Sequence, residues 1–93
     1  MNKTHLINEI LAYKDRIGRF EICIGTFTKA DFVLGYFWDE QSNEYKVYKN
    51  GERGMCSVRY SGADELEALK ILLRMVKGRA HTLAELNKMR DTR

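Results

Sequence analysis

The chain has 93 residues, 16 Lys and Arg against 13 Asp and Glu, and a formal net charge of +3 at pH 7. That length makes one domain, residues 1–93, with a single modest core. An apolar share of 44% excludes a disordered composition, and so small a positive excess does not mark a nucleic-acid binder.

Residues 2–5, Asn-Lys-Thr-His, and the interrupted apolar residues beyond them give neither a secretory leader nor a membrane span. A cytoplasmic location is expected, with Cys23 and Cys56 as reduced thiols. Over residues 3–17, Leu6, Ile7, Ile10, Leu11 and Ile17 make the apolar stripe of a helix. Asn2 or Thr4 caps its start and Gly18 its end.

Residues 20–25 alternate as a strand, with Phe20, Ile22 and Ile24 on one face. After a loop, residues 32–39 form a second strand. Phe32, Leu34, Tyr36 and Trp38 take one face and Val33, Gly35 and Phe37 the other. A polar turn at 40–43 leads to a third strand, 44–49, with Tyr45 and Val47 inward. Asn50-Gly51 is a hairpin signal, because both residues tolerate positive φ. A fourth strand over 55–60 places Cys56, Val58 and Tyr60 on one face.

Ser61-Gly-Ala-Asp64 opens a second helix, whose stripe is Leu66, Leu69, Leu72, Leu73 and Val76 and whose end is Gly78. Thr82-Leu-Ala-Glu85 then starts a short helix carrying Leu83, Leu86 and Met89, so residues 79–93 form a short C-terminal helical appendage. The last twenty residues are basic, with Arg74, Lys77, Arg79, Lys88, Arg90 and Arg93 against Glu85 and Asp91. The expected fold is α+β in two layers: a helix, a four-stranded antiparallel meander, a helix, and the short helix. With the helices on one face, the other shows Glu21, Cys23, Val33, Phe37, Lys46, Tyr48, Ser57 and Arg59.

Catalytic chemistry has little to stand on. His5 lies at a helix start and His81 in a loop; no metal-type spacing, GxGxxG or P-loop is present. The adjacent carboxylates Asp39-Glu40 and Asp64-Glu65 diverge from one another. The expectation is a protein that is not an enzyme and needs no cofactor or metal. Phe37, Lys46, Tyr48 and Arg59 on the uncovered face make a platform for a protein hot spot or for stacked bases. Glu52 and Arg53 sit at a turn tip, where a rigid sheet presents residues to partners.

Tyr45-Lys-Val-Tyr48, then Glu52-Arg53-Gly54, a strand, and a helix opening Asp64-Glu-Leu-Glu-Ala68 form a recognisable order. Over residues 36–77 it resembles the small immunity proteins of bacterial polymorphic toxin systems. The resemblance implies a protein that binds and neutralises a cognate toxin domain, with Tyr45, Val47, Tyr48, Glu52, Arg53 and Gly54 as the motif positions. The basic balance departs from inhibitors of basic nucleases, which are acidic to speed encounter. An acidic patch of Asp39, Glu40, Glu44 and Glu52 would answer that, and Phe37, Tyr48, Arg53 and Arg59 complete the expected partner-binding set. A small nucleic-acid-binding regulator is the alternative, using the basic C-terminal segment and the aromatic-basic face. Asp64, Glu65 and Glu67 at the start of the second helix argue against it.

Overall fold

The computed structural model describes residues 2–91. The side chains of Met89, Arg90 and Asp91, and all of Thr92 and Arg93, lie outside the described residues. Helix α1 spans Lys3–Leu11, and the Asn2 side chain caps it by accepting from the His5 N–H at 2.8 Å. Leu6 and Ile10 are its buried face. The helix is shorter than its expected reach to residue 17, because Lys14, Asp15 and Arg16 interrupt the apolar stripe. Ile17 still enters the core, delivered by a turn instead of a helix.

Four strands follow: β1 (Glu21–Ile24), β2 (Val33–Asp39), β3 (Glu44–Asn50) and β4 (Cys56–Gly62), in that spatial order. β2, β3 and β4 pair antiparallel as expected. β1 does not: it runs parallel to β2, with Glu21 opposite Val33 and Ile24 opposite Tyr36. The sheet is therefore mixed, which corrects the all-antiparallel meander.

The cause is the segment 25–32. Instead of reversing tightly, it crosses the sheet face away from the helices and returns to the β1 starting end. Two buried β3 side chains hold it there. The Tyr48 hydroxyl donates to the Thr26 carbonyl at 3.0 Å and accepts from the Thr28 N–H at 3.3 Å. The Asn50 amide donates to the carbonyls of Thr28 at 2.7 Å and Ala30 at 2.9 Å. Four hydrogen bonds satisfy backbone groups that a loop over a sheet would otherwise bury unpaired.

Helix α2 runs unbroken over Glu65–Asp91, through Gly78. No separate C-terminal helix exists among the described residues. Asp64 caps its start, its carboxylate accepting from the N–H groups of Leu66 at 3.0 Å and Glu67 at 3.2 Å. The apolar spacing continues past Gly78 through Ala80, which is buried, and Leu83, which packs toward Gly18. One mid-helix glycine costs about 1 kcal/mol, less than burying this second stretch returns. Thr82 is accordingly a helix-interior residue, its hydroxyl donating to the Gly78 carbonyl at 2.9 Å.

The core lies between the helices and one sheet face. Leu6, Ile10, Ile17 and Phe20 meet Leu34, Tyr36 and Val47, under Leu69, Leu72 and Val76. Val47 pairs with Tyr60 and Tyr48 with Val58, which leaves Arg59 as the extra residue of a β-bulge. The bulge overturns the expected face assignment of β4. Tyr60 packs on the core, but Val58, opposite Tyr48, belongs to the face away from the helices.

Candidate functional site

The face opposite the helices is less open than the sequence suggests. Tyr48 is 0% exposed, so it is not available to a partner. Its ring lies over Gly35, where an added Cβ would stand 2.7 Å from the Tyr48 hydroxyl. Burial, with the Cys23 thiol beside it, pushes the Tyr48 phenol well above its ordinary range. Phe27, from the crossing segment, completes a three-ring cluster. Its centroid is 5.0 Å from Tyr48 and 5.3 Å from Phe37, and Phe37 is 5.8 Å from Tyr48. Phe37 is thus half-buried beneath Phe27.

Lys46 is engaged as well. Its ammonium meets the Asp39 carboxylate at 2.8 Å on the same face. The hydrogen bond from Lys46 holds Asp39 below the usual carboxylate range and raises Lys46 in return. Arg59 is not on this face: as the bulge residue it lines a cleft on the helix side, with Lys49 and Arg79.

The expected four-acid patch does not assemble. Asp39 and Glu44 are register partners and Glu40 sits in the turn between them, so three acids do group at the β2–β3 hairpin. Glu52 follows the far end of β3. Seven strand residues separate the two ends, a distance of roughly 20 Å. Consecutive hairpins of a meander fall at opposite ends of the sheet, a consequence the linear charge pattern hides.

The turn at Glu52–Gly54 is also unlike a two-residue hairpin. Asn50 ends β3, and the Gly51 N–H donates to the Met55 carbonyl at 2.6 Å. Arg53 occupies the left-handed region at φ 58° and ψ 39°, a conformation costly for any residue with a side chain. Gly54 follows at φ 76°, its N–H donating to the Asp31 carboxylate at 3.2 Å. Glu52 and Arg53 are exposed. The motif positions therefore divide. Tyr45, Val47 and Tyr48 serve the core and the crossing segment, whereas Glu52 and Arg53 face solvent.

Exposed large apolar groups include Leu86 at 49% and Trp38 at 42%, the latter expected on the core face, as well as three residues near β4 and the crossing segment. Met55 is 73% exposed, Val58 54% and Phe27 42%. Val58 lies beside Tyr48 in the register, and Phe27 covers Tyr48 and Phe37. Val58 and Phe27 thus share the face away from the helices, on either side of the Tyr48 ring, with Cys56 exposed further along β4. β4 pairs only with β3, so its outer backbone edge is unpaired in the sheet. The Val58 placement needed the bulge, which no local pattern announces; Phe27 was the one large apolar residue in an otherwise polar loop.

Among the described residues no group of three or more His, Cys, Asp and Glu is placed to hold a metal ion. No helix among them is long and apolar enough to cross a membrane. No family model, curated protein or solved structure matches the chain.

Proposed function

We propose that this chain binds and neutralises a cognate bacterial toxin domain, docking it on the β4 edge and the apolar surface of Phe27 and Val58. The observation that carries the reading is the exposure of Val58 and Phe27 on one sheet face, beside the unpaired edge of β4. Large apolar side chains rimmed by charge mark contact surfaces, and an unpaired strand accepts another chain by main-chain hydrogen bonding. The resemblance of Tyr45–Gly54 and the helix after it to immunity proteins supplies the class of partner. The strained, exposed Arg53 sits in the turn that leads into β4 and is consistent with a partner at that strand, since backbone strain is retained where a side chain must be presented.

The nucleic-acid reading has weaker support. The start of α2 is occupied by the Asp64 cap and by Glu65 and Glu67, so its N-terminal N–H groups are not offered to phosphate. Co-expression with the toxin domain encoded beside its gene tests the proposal. Restored growth and a complex on a sizing column are expected; unrescued growth with two separate peaks would end it.

A further inference from the structure

On the helix side of the sheet, opposite the face of Phe27 and Val58, a cleft of about 350 Å³ opens between the strands and residues 75–82 of α2. Its walls bring Lys49 from β3, Arg59 from the bulge and Arg79 from α2 around Phe20, with Leu34 and Met75 as apolar lining. Among the described residues no carboxylate lines it. The Phe20 ring fixes two of the cations: the Lys49 ammonium is 5.5 Å and the Arg79 guanidinium carbon 5.0 Å from its centroid. Three like charges gathered in one cleft repel one another unless an anion joins them.

Two further features mark an unfilled site. Arg79 Nε is buried and has no hydrogen-bond partner, a donor state that folding rarely leaves uncompensated. Gly78, on the cleft wall, has no packing reason to be glycine, because an added Cβ would meet nothing within 4 Å. A helix interior disfavours glycine, so a residue that keeps this wall bare leaves room for something outside the chain.

We infer that this cleft binds a small phosphate ester, the phosphoryl group held by Lys49, Arg59 and Arg79 and the organic part resting toward Met75. A dianion matches three cations better than a single carboxylate does, and paired guanidinium groups suit phosphoryl oxygens geometrically. The volume falls in the range of small-ligand sites. Phosphate on a free small molecule and phosphate in a nucleic-acid backbone share this chemistry, and the test separates them.

The full chain, labelled with ¹⁵N, is titrated with inorganic pyrophosphate at ionic strength fixed by NaCl, following the Arg79 Nε–H resonance. A saturable shift is expected. Arg59→Gln, on an exposed edge residue, should weaken it roughly tenfold with the far-UV spectrum unchanged. Lys70→Gln, on the exposed side of α2, should leave it as it was. Shifts no larger than those of NaCl alone, or equal in Arg59→Gln and the parent, would overturn the site. A short single-stranded oligonucleotide binding more tightly than pyrophosphate, and losing as much affinity in Lys70→Gln as in Arg59→Gln, would overturn the small ligand in favour of a diffuse nucleic-acid surface. Arg59 shares β4 with the proposed docking edge, so the two proposals are told apart by Arg79: an absent pyrophosphate shift there with toxin binding intact would overturn only the phosphate site, and the converse only the docking proposal.

Discussion

At the scale of single residues, Tyr48 and Asn50 carry more of the structure than any exposed motif position. Each ties the segment 25–32 across the sheet through two hydrogen bonds. Tyr48→Phe keeps the ring and removes both hydroxyl bonds, so it should cost about 1–3 kcal/mol in denaturant unfolding. The phenol also sets a pH dependence. Its folded pKa is raised above the unfolded value near 10. The stabilisation from the neutral form is therefore complete below about pH 10 and is lost as pH rises toward the folded value. Unfolding curves of the parent should lose more stability between about pH 9 and 11 than those of Tyr48→Phe; parallel losses would show that Tyr48 does not set this dependence. Arg53 tests the opposite effect. Arg53→Gly relieves the left-handed strain and should stabilise the fold by about 1 kcal/mol. In a partner complex the same change should weaken binding. The alternation in β2 and β3 correctly placed Tyr48 and Phe37 on the face away from the helices, but it could not reveal that a loop lies over that face.

At the scale of elements, the strands were legible because each has a clear period of two between turn residues. β1 to β4 all fall within a residue or two of their expected bounds. Direction was not legible for β1. Its eight-residue connection is shorter than most parallel crossovers, and the anchors that fix its path, Tyr48 and Asn50, lie in another strand. Face assignment failed at β4 for a similar reason, since the one-residue bulge at Arg59 inverts every side chain before it. Gly78 was read as a stop, yet α2 continues because Ala80 and Leu83 find partners beyond it. Gly78→Ala should then raise stability by about 0.5–1 kcal/mol, measured as a higher Tm. A lower Tm would mean that the helix is strained there and that the glycine is structural.

At the scale of the molecule, the charges that neighbour one another along the chain are distributed to opposite ends and faces. The acids Asp39, Glu40 and Glu44 share one end of the sheet, Glu52 and Arg53 the other, and Arg59 the helix side. Of the expected partner-binding residues, Glu52 and Arg53 are exposed in the turn before β4 and Tyr48 is buried, whereas Phe27 and Val58 are exposed apolar groups outside that set. The proposed partner would therefore meet the β4 edge and the face of Phe27 and Val58, not the acidic hairpin. The direct measurement is the affinity of the proposed partner, a toxin domain from this gene's own neighbourhood, for three folded forms of the chain: the parent, Val58→Asp and Glu40→Ala. Val58→Asp should lose at least roughly a hundredfold in affinity, as expected for a charge placed in the centre of an apolar contact, with Glu40→Ala close to the parent. A Val58→Asp protein that binds as tightly as the parent, while Glu40→Ala does not, would contradict it.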